Sequence, residues 1–96
     1  MRIENIHNYY EKLLRDRVSE DTRLAGQSQD FIEDVLCLTL NQLEPRYIRF
    51  DVDMAFFLSP HEYERMQARI DTALNNAIER VSRFPEYIGQ LHIRPQ

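Results

Sequence analysis

The stretch DFIEDVLCLTLNQLEPRY, residues 30–47, places Phe31, Ile32, Val35, Leu36, Leu38, Leu40 and Leu43 on most of the circumference of a helix. A helix that is apolar on so many sides is buried on more than one of them. It is either the central element of the subunit or a helix with one face in a subunit contact. Ser28 or Asp30 serves as its N-cap, and Asp30 with Glu33 has the spacing of a capping box. Pro45 ends it, because the residue before a proline is pushed out of the helical region. The spacing therefore predicts a helix over 30–43.

On the C-terminal side the period changes. Ile48, Phe50, Val52, Met54 and Phe56 alternate with Arg49, Asp51, Asp53, Ala55 and Phe57, the two-residue repeat of a half-buried strand over 47–57. A lone strand leaves its backbone groups unpaired. The tail 87–93 or the same segment of a second copy would pair with it, and a non-β extended linker is the alternative. Ser59, Pro60 and Glu62 then open a third helix with a cap, a first-position proline and a capping box. It runs over 60–84 and stops before Pro85, with Tyr63, Met66, Ile70, Leu74, Ala77, Ile78 and Val81 as its buried stripe.

On the N-terminal side, residues 19–29 lose periodicity and include Gly26, so they read as a loop. Ile3, Ile6, Tyr10, Leu13, Leu14 and Val18 recur at spacings of three and four, which predicts a first helix over 3–18. The expected fold is mainly α. Three helices, about 3–18, 30–43 and 60–84, accompany a short extended segment at about 47–57. The whole is one domain over 1–96, expected as an intertwined homodimer.

Composition agrees with a globular domain. The chain has 96 residues, 43% hydrophobic and 29% charged, with two glycines and four prolines. A chain this short buries only roughly 60 to 65% of its unfolded surface, so pairing with a second copy would add to its stability. Sixteen acidic against twelve basic residues give a net charge of −4, which weighs against a general nucleic-acid binder. Cys37 is the only cysteine, so there is no disulfide framework. No run approaches the roughly 20 apolar residues of a membrane span, and residues 1–8 do not look like a signal peptide. A cytoplasmic protein is expected. Lys12 is the only lysine beside eleven arginines. Arginine's planar fork grips phosphate or carboxylate at two points and stacks on flat rings, although genome composition and helix-surface ion pairs give the same skew.

The run Asp34, Val35, Leu36, Cys37, Leu38, Thr39, Leu40, Asn41, Gln42, Leu43, Glu44, Pro45, Arg46, Tyr47, Ile48 resembles the signature of the late competence development ComFB family. There an aspartate-valine start leads to a leucine-rich helix, an asparagine and a proline-arginine-tyrosine exit. The likeness extends to residues 7–14 and to the third helix. The chain departs from it with Cys37 and Thr39 where alanines are common, and with Glu44 where a proline often precedes Pro45. Some members carry cysteine pairs just before this helix and bind zinc there. Gly26, Gln27, Ser28 and Gln29 offer no thiolate or imidazole, so no structural zinc is expected, and the loop would be held by packing or by the partner subunit.

The resemblance implies a receptor for cyclic di-GMP or a related cyclic dinucleotide. Such a ligand calls for arginine forks, amides and stacking surfaces. Arg46, Tyr47 and Asn41 supply all three within one short stretch. Arg49 projects from the extended segment, and Arg65 and Arg69 lie one turn apart on the third helix. A dimer would present each twice to a two-fold ligand. Each residue also has a structural reading. Asn41 terminates its helix, Tyr47 is core with its hydroxyl paired, Arg46 pairs with Asp34 or another carboxylate, and Arg65 and Arg69 form a solvated face near Glu62 and Glu64.

Enzymatic readings find little purchase. Asp51 and Asp53 fall on one side of a strand, but two carboxylates are few for a cation. His7, His61 and His92 are scattered, Cys37 sits in an apolar helix, and no glycine-rich phosphate loop is present. No catalytic residue, metal or cofactor is expected. Two functions remain: a ligand-sensing dimer acting through a partner protein, and a ligand-free adaptor linked to competence or surface-behaviour regulation. Convergent arginines beside an aromatic-lined cleft would favour the first, and a flat apolar patch the second.

Overall fold

A computed structural model describes residues 2–83. Their order is a 3₁₀ turn at Ile3–Asn5, strand β1 at His7–Asn8, helix α1 at Tyr9–Val18, helix α2 at Gln29–Asn41, strand β2 at Tyr47–Ile48, helix α3 at Asp51–Phe57 and helix α4 at Pro60–Arg83. The mainly helical architecture agrees with the sequence reading, and α2 and α4 lie close to their expected bounds.

α4 is the spine. Its 24 residues span about 36 Å at 1.5 Å per residue. Ser59 Oγ accepts from the Glu62 backbone N–H at 3.1 Å and opens the helix as expected. Met66, Ile70, Ala73, Leu74, Ala77 and Val81 are buried at spacings of three and four. Tyr63 leaves the expected stripe and is 43% exposed. α2 packs along this face, and α1 packs on both helices; of α2 itself only Val35 and Thr39 are buried within the subunit, so both readings of its apolarity stand. Tyr10, Leu13 and Leu14 from α1, Val35 from α2, and Leu43 complete the core. Thr39, fully buried, donates its hydroxyl to the Val35 carbonyl at 2.7 Å and so enters the core without an unmet polar group.

α2 is capped by Ser28, whose Oγ accepts from the Phe31 N–H at 3.1 Å. The Asp30–Glu33 capping box does not form; Glu33 takes the Gln29 side-chain amide instead. The helix ends at Asn41, two residues short of the expected Leu43. Pro45 supplies no N–H for another helical bond, and the last turn tightens as the Leu43 N–H reaches the Leu40 carbonyl at 3.2 Å.

Two expectations are corrected. The first helix does not begin at Ile3: Ile6 is extended, His7–Asn8 is a strand, and Asn8 caps α1 in a capping box with Glu11. The Asn-x-x-Glu spacing of that box was present in the sequence and overridden by the apolar periodicity. The strand expected at 47–57 shrinks to Tyr47–Ile48, which pairs antiparallel with β1 of the same chain, His7 opposite Ile48 and Asn8 opposite Tyr47. The pairing with β1 gives this segment a partner within its own chain, and the tail 87–93 lies outside the described residues. Asp51–Phe57 is helical because Asp51 and Asp53 suit a helix N-terminal turn and Asp51 is held there by His7 Nε2 at 3.0 Å. The alternation misleads because Val52, Phe56 and Phe57 are exposed rather than packed in one sheet face.

The loop between α1 and α2 is held in part by packing and in part by charge. Leu24 is 3% exposed, and Gly26 takes the left-handed φ of +81° that a side chain would oppose. Asp21, 9% exposed, accepts from the Arg23 backbone N–H at 2.9 Å and from its guanidinium at 2.7 and 3.0 Å. Arg23 also reaches Asn75 on α4 at 2.8 Å, and Arg17 reaches Asp71 on α4 at 2.9 Å. The hydrogen bonds from Arg23 hold the Asp21 carboxyl below its usual range.

Candidate functional site

The exit of α2 crosses the flank of α4 and leaves a groove between them. Gln42, just past the helix end, borders it. Its amide nitrogen donates to the Leu38 and Ala73 carbonyls, both at 3.0 Å, and its carbonyl oxygen accepts from Asn76 at 3.3 Å. Four residues on, Arg46 is anchored through its backbone. Its N–H donates to Asn8 Oδ1 at 2.9 Å and its carbonyl accepts from the Tyr9 N–H at 2.7 Å. The residue that caps α1 therefore also fixes where Arg46 stands.

The groove has two joined compartments. The narrower, about 160 Å³, is rimmed by Arg46, Arg65 and Arg69 with Glu44 and Glu62. The wider, about 560 Å³, is bordered by Gln42, Glu44, Arg69 and Thr72, with Leu43, Ala68 and Ala73 as apolar wall. Tyr10, Glu44 and Arg69 border both. A third hollow of about 430 Å³ continues from Gln42 past Asn76 to Arg80 and Arg83.

Three of the six candidate residues, Arg46, Arg65 and Arg69, are thus brought together from two segments. Arg46 lies 3.9 Å from Glu62, the carboxylate partner its structural reading called for, though not Asp34. Arg65 and Arg69 are exposed and make no hydrogen bond or ion pair with another described residue, although Glu62 and Glu64 are their neighbours in sequence. Such guanidiniums have donors to spare for an anion.

The other three stand elsewhere. Asn41 is the last residue of α2 and its amide meets only Cys37 Sγ, at 3.7 Å. Tyr47 is 66% exposed on β2, which overturns its reading as core. Arg49 covers the neighbouring Phe50 ring at 4.9 Å. A residue's closeness in sequence did not carry it into the groove, because successive side chains fan out around a helix and alternate between the two faces of a strand. Gln42, Glu44 and Thr72 were missed. Thr72 was legible in hindsight, lying near Arg65 and Arg69 on one α4 face at spacings of three and four. Tyr10 is the sole aromatic bordering these compartments and is 4% exposed, so flat stacking has to come from guanidinium planes.

A second feature lies around β1, β2 and α3. Tyr47, Phe50, Val52, Phe56, Phe57 and Tyr63 are 43–81% exposed, with Ile3 and Ile6 beside β1. Among the described residues no group of three or more His, Cys, Asp or Glu could hold a metal ion, and no helix is long and apolar enough to cross a membrane.

No curated protein and no solved structure matches the chain. The model of the family described as late competence development protein ComFB does, over residues 7–85. That span takes in β1 with its Asn8 cap, the α2 signature, the Arg46 turn and all of α4, so the elements that build the groove are the elements the family model covers, and the chain belongs to the ComFB family.

Proposed function

We propose that this protein is a non-enzymatic, dimeric receptor for a cyclic dinucleotide of the cyclic di-GMP type, acting through a partner protein in the cytoplasm. The observation that carries the reading is the convergence of Arg46, Arg65 and Arg69 on one groove, two of them without a side-chain partner among the described residues. Free arginine forks suit the non-bridging oxygens of a phosphodiester, and their planes suit purine rings. The wider compartment, about 560 Å³, falls in the range of small-molecule sites. The exposed thiol of Cys37 suits a reducing compartment.

The dimer rests on the apolar surface around α3. Five aromatic side chains at these exposures leave roughly 600 Å² uncovered, from about 200 Å² each, and Ile3, Ile6 and Val52 bring it near the ~800 Å² each partner gives a stable interface. The same surface supports the second reading, a ligand-free adaptor in which a different protein covers it. Calorimetric titration with cyclic di-GMP, cyclic di-AMP and linear GMP dimer decides between them. The receptor binds a cyclic ligand saturably, and Arg69→Ala weakens it about tenfold or more, some 1.4 kcal/mol. Absence of binding by the folded protein well above micromolar ligand leaves the adaptor.

A further inference from the structure

Resting on the receptor reading, we propose that Glu44 is the base-reading residue of the groove and makes it select guanine over adenine. Glu44 borders both compartments, yet makes no hydrogen bond or ion pair with another described residue. Arg46, two residues away, turns to Glu62 instead. An unpaired carboxylate beside three arginines is a poor neighbour for a phosphate, because the like charges repel. It is a good neighbour for a group that brings N–H donors.

Guanine carries N1–H and the N2 amine side by side on its Watson–Crick edge, and two carboxylate oxygens accept from both at once. Adenine offers one donor, N6, beside the N1 lone pair, which would face a carboxylate oxygen. The compartments divide the ligand accordingly. A phosphate lies among Arg46, Arg65 and Arg69 in the narrow one, and the base enters the wide one against Ala68 and Ala73. Arg69 and Glu44 stand where the two meet, as a nucleotide's charged and flat parts require.

The test is a titration of cyclic di-GMP and cyclic di-AMP into the wild type, Glu44→Gln and Arg69→Ala. Glutamine keeps the size and offers one acceptor and one donor, the pattern adenine's edge requires. The wild type is expected to prefer cyclic di-GMP, a two-point pair discriminating about ten- to hundredfold. Glu44→Gln is expected to lose that preference or shift it toward cyclic di-AMP, while Arg69→Ala weakens both ligands alike. Tighter binding of both ligands by Glu44→Gln in equal measure would mean simple charge relief and overturn the assignment, as would an unchanged ratio. In either case Arg69→Ala still reports on the receptor. A folded wild type that binds neither ligand removes the receptor reading and this inference together.

Discussion

Replacing Asp21 with asparagine removes one charge from the α1–α2 loop and almost no volume. Three hydrogen bonds converge on that carboxylate from Arg23, at 2.7, 2.9 and 3.0 Å, and Asp21 itself is 9% exposed. Asparagine's oxygen can keep the two bonds made to Oδ1, but its NH₂ confronts the guanidinium where Oδ2 accepted. A hydrogen bond to a charged group contributes roughly 1.5–3 kcal/mol, and the solvent exposure of the Arg23 side chain reduces this. The expected loss is about 2 kcal/mol, equivalent to roughly 8 to 16 °C of melting temperature for a domain of this size. The pH dependence has a definite sign. The carboxyl sits below its ordinary value of 3.8 in the fold, so the unfolded chain takes up the proton first as pH falls. The stabilisation is complete above that ordinary value and disappears as pH drops through the folded-state value. Thermal melts followed by circular dichroism at fixed protein concentration, at pH 7 and along an acid series, measure both effects. A variant melting within about 2 °C of wild type at pH 7, with the same acid profile, would refute the claim that charge helps hold this loop.

Three further outcomes follow from the same geometry. Leu74→Ala, at a fully buried position on α4, should cost about 2–5 kcal/mol by urea unfolding. Asn8→Ala should cost about 1–2 kcal/mol through loss of the α1 cap, and should also weaken cyclic dinucleotide binding, because Asn8 Oδ1 holds the Arg46 N–H. Phe56→Ser with Phe57→Ser, both more than three-quarters exposed, should leave helicity intact by circular dichroism and shift light-scattering mass from dimer to monomer; an unchanged mass would place the subunit contact elsewhere.

Much of the fold was legible because helices announce themselves locally. Ser59, Pro60 and Glu62 marked the start of α4, and Met66, Ile70, Leu74, Ala77 and Val81 marked its buried face, all within a few turns of chain. What failed depended on distant partners. The alternation from Ile48 to Phe56 has the two-residue period of a strand, and His7, 44 residues from Asp51, is part of what holds the segment as a helix instead. The start of α1 was hidden because Ile3 and Ile6 match the helical period yet lie exposed outside it. The groove divided in the same way. Arg65 and Arg69 were readable from their spacing, whereas Gln42 and Glu44 acquire their roles only when α2's exit meets the flank of α4. Arg46 was found for its type, but the Asn8 contact that fixes it joins segments 38 residues apart.

The most direct test of the central claim is a nitrogen-15 NMR titration of the labelled protein with cyclic di-GMP. The account predicts saturable shifts concentrated on the backbone amides of Gln42, Glu44, Arg46, Arg65, Arg69 and Thr72, with α3 largely unmoved. No shifts at millimolar ligand, or shifts confined to the aromatic surface around Phe56 and Phe57, would contradict it.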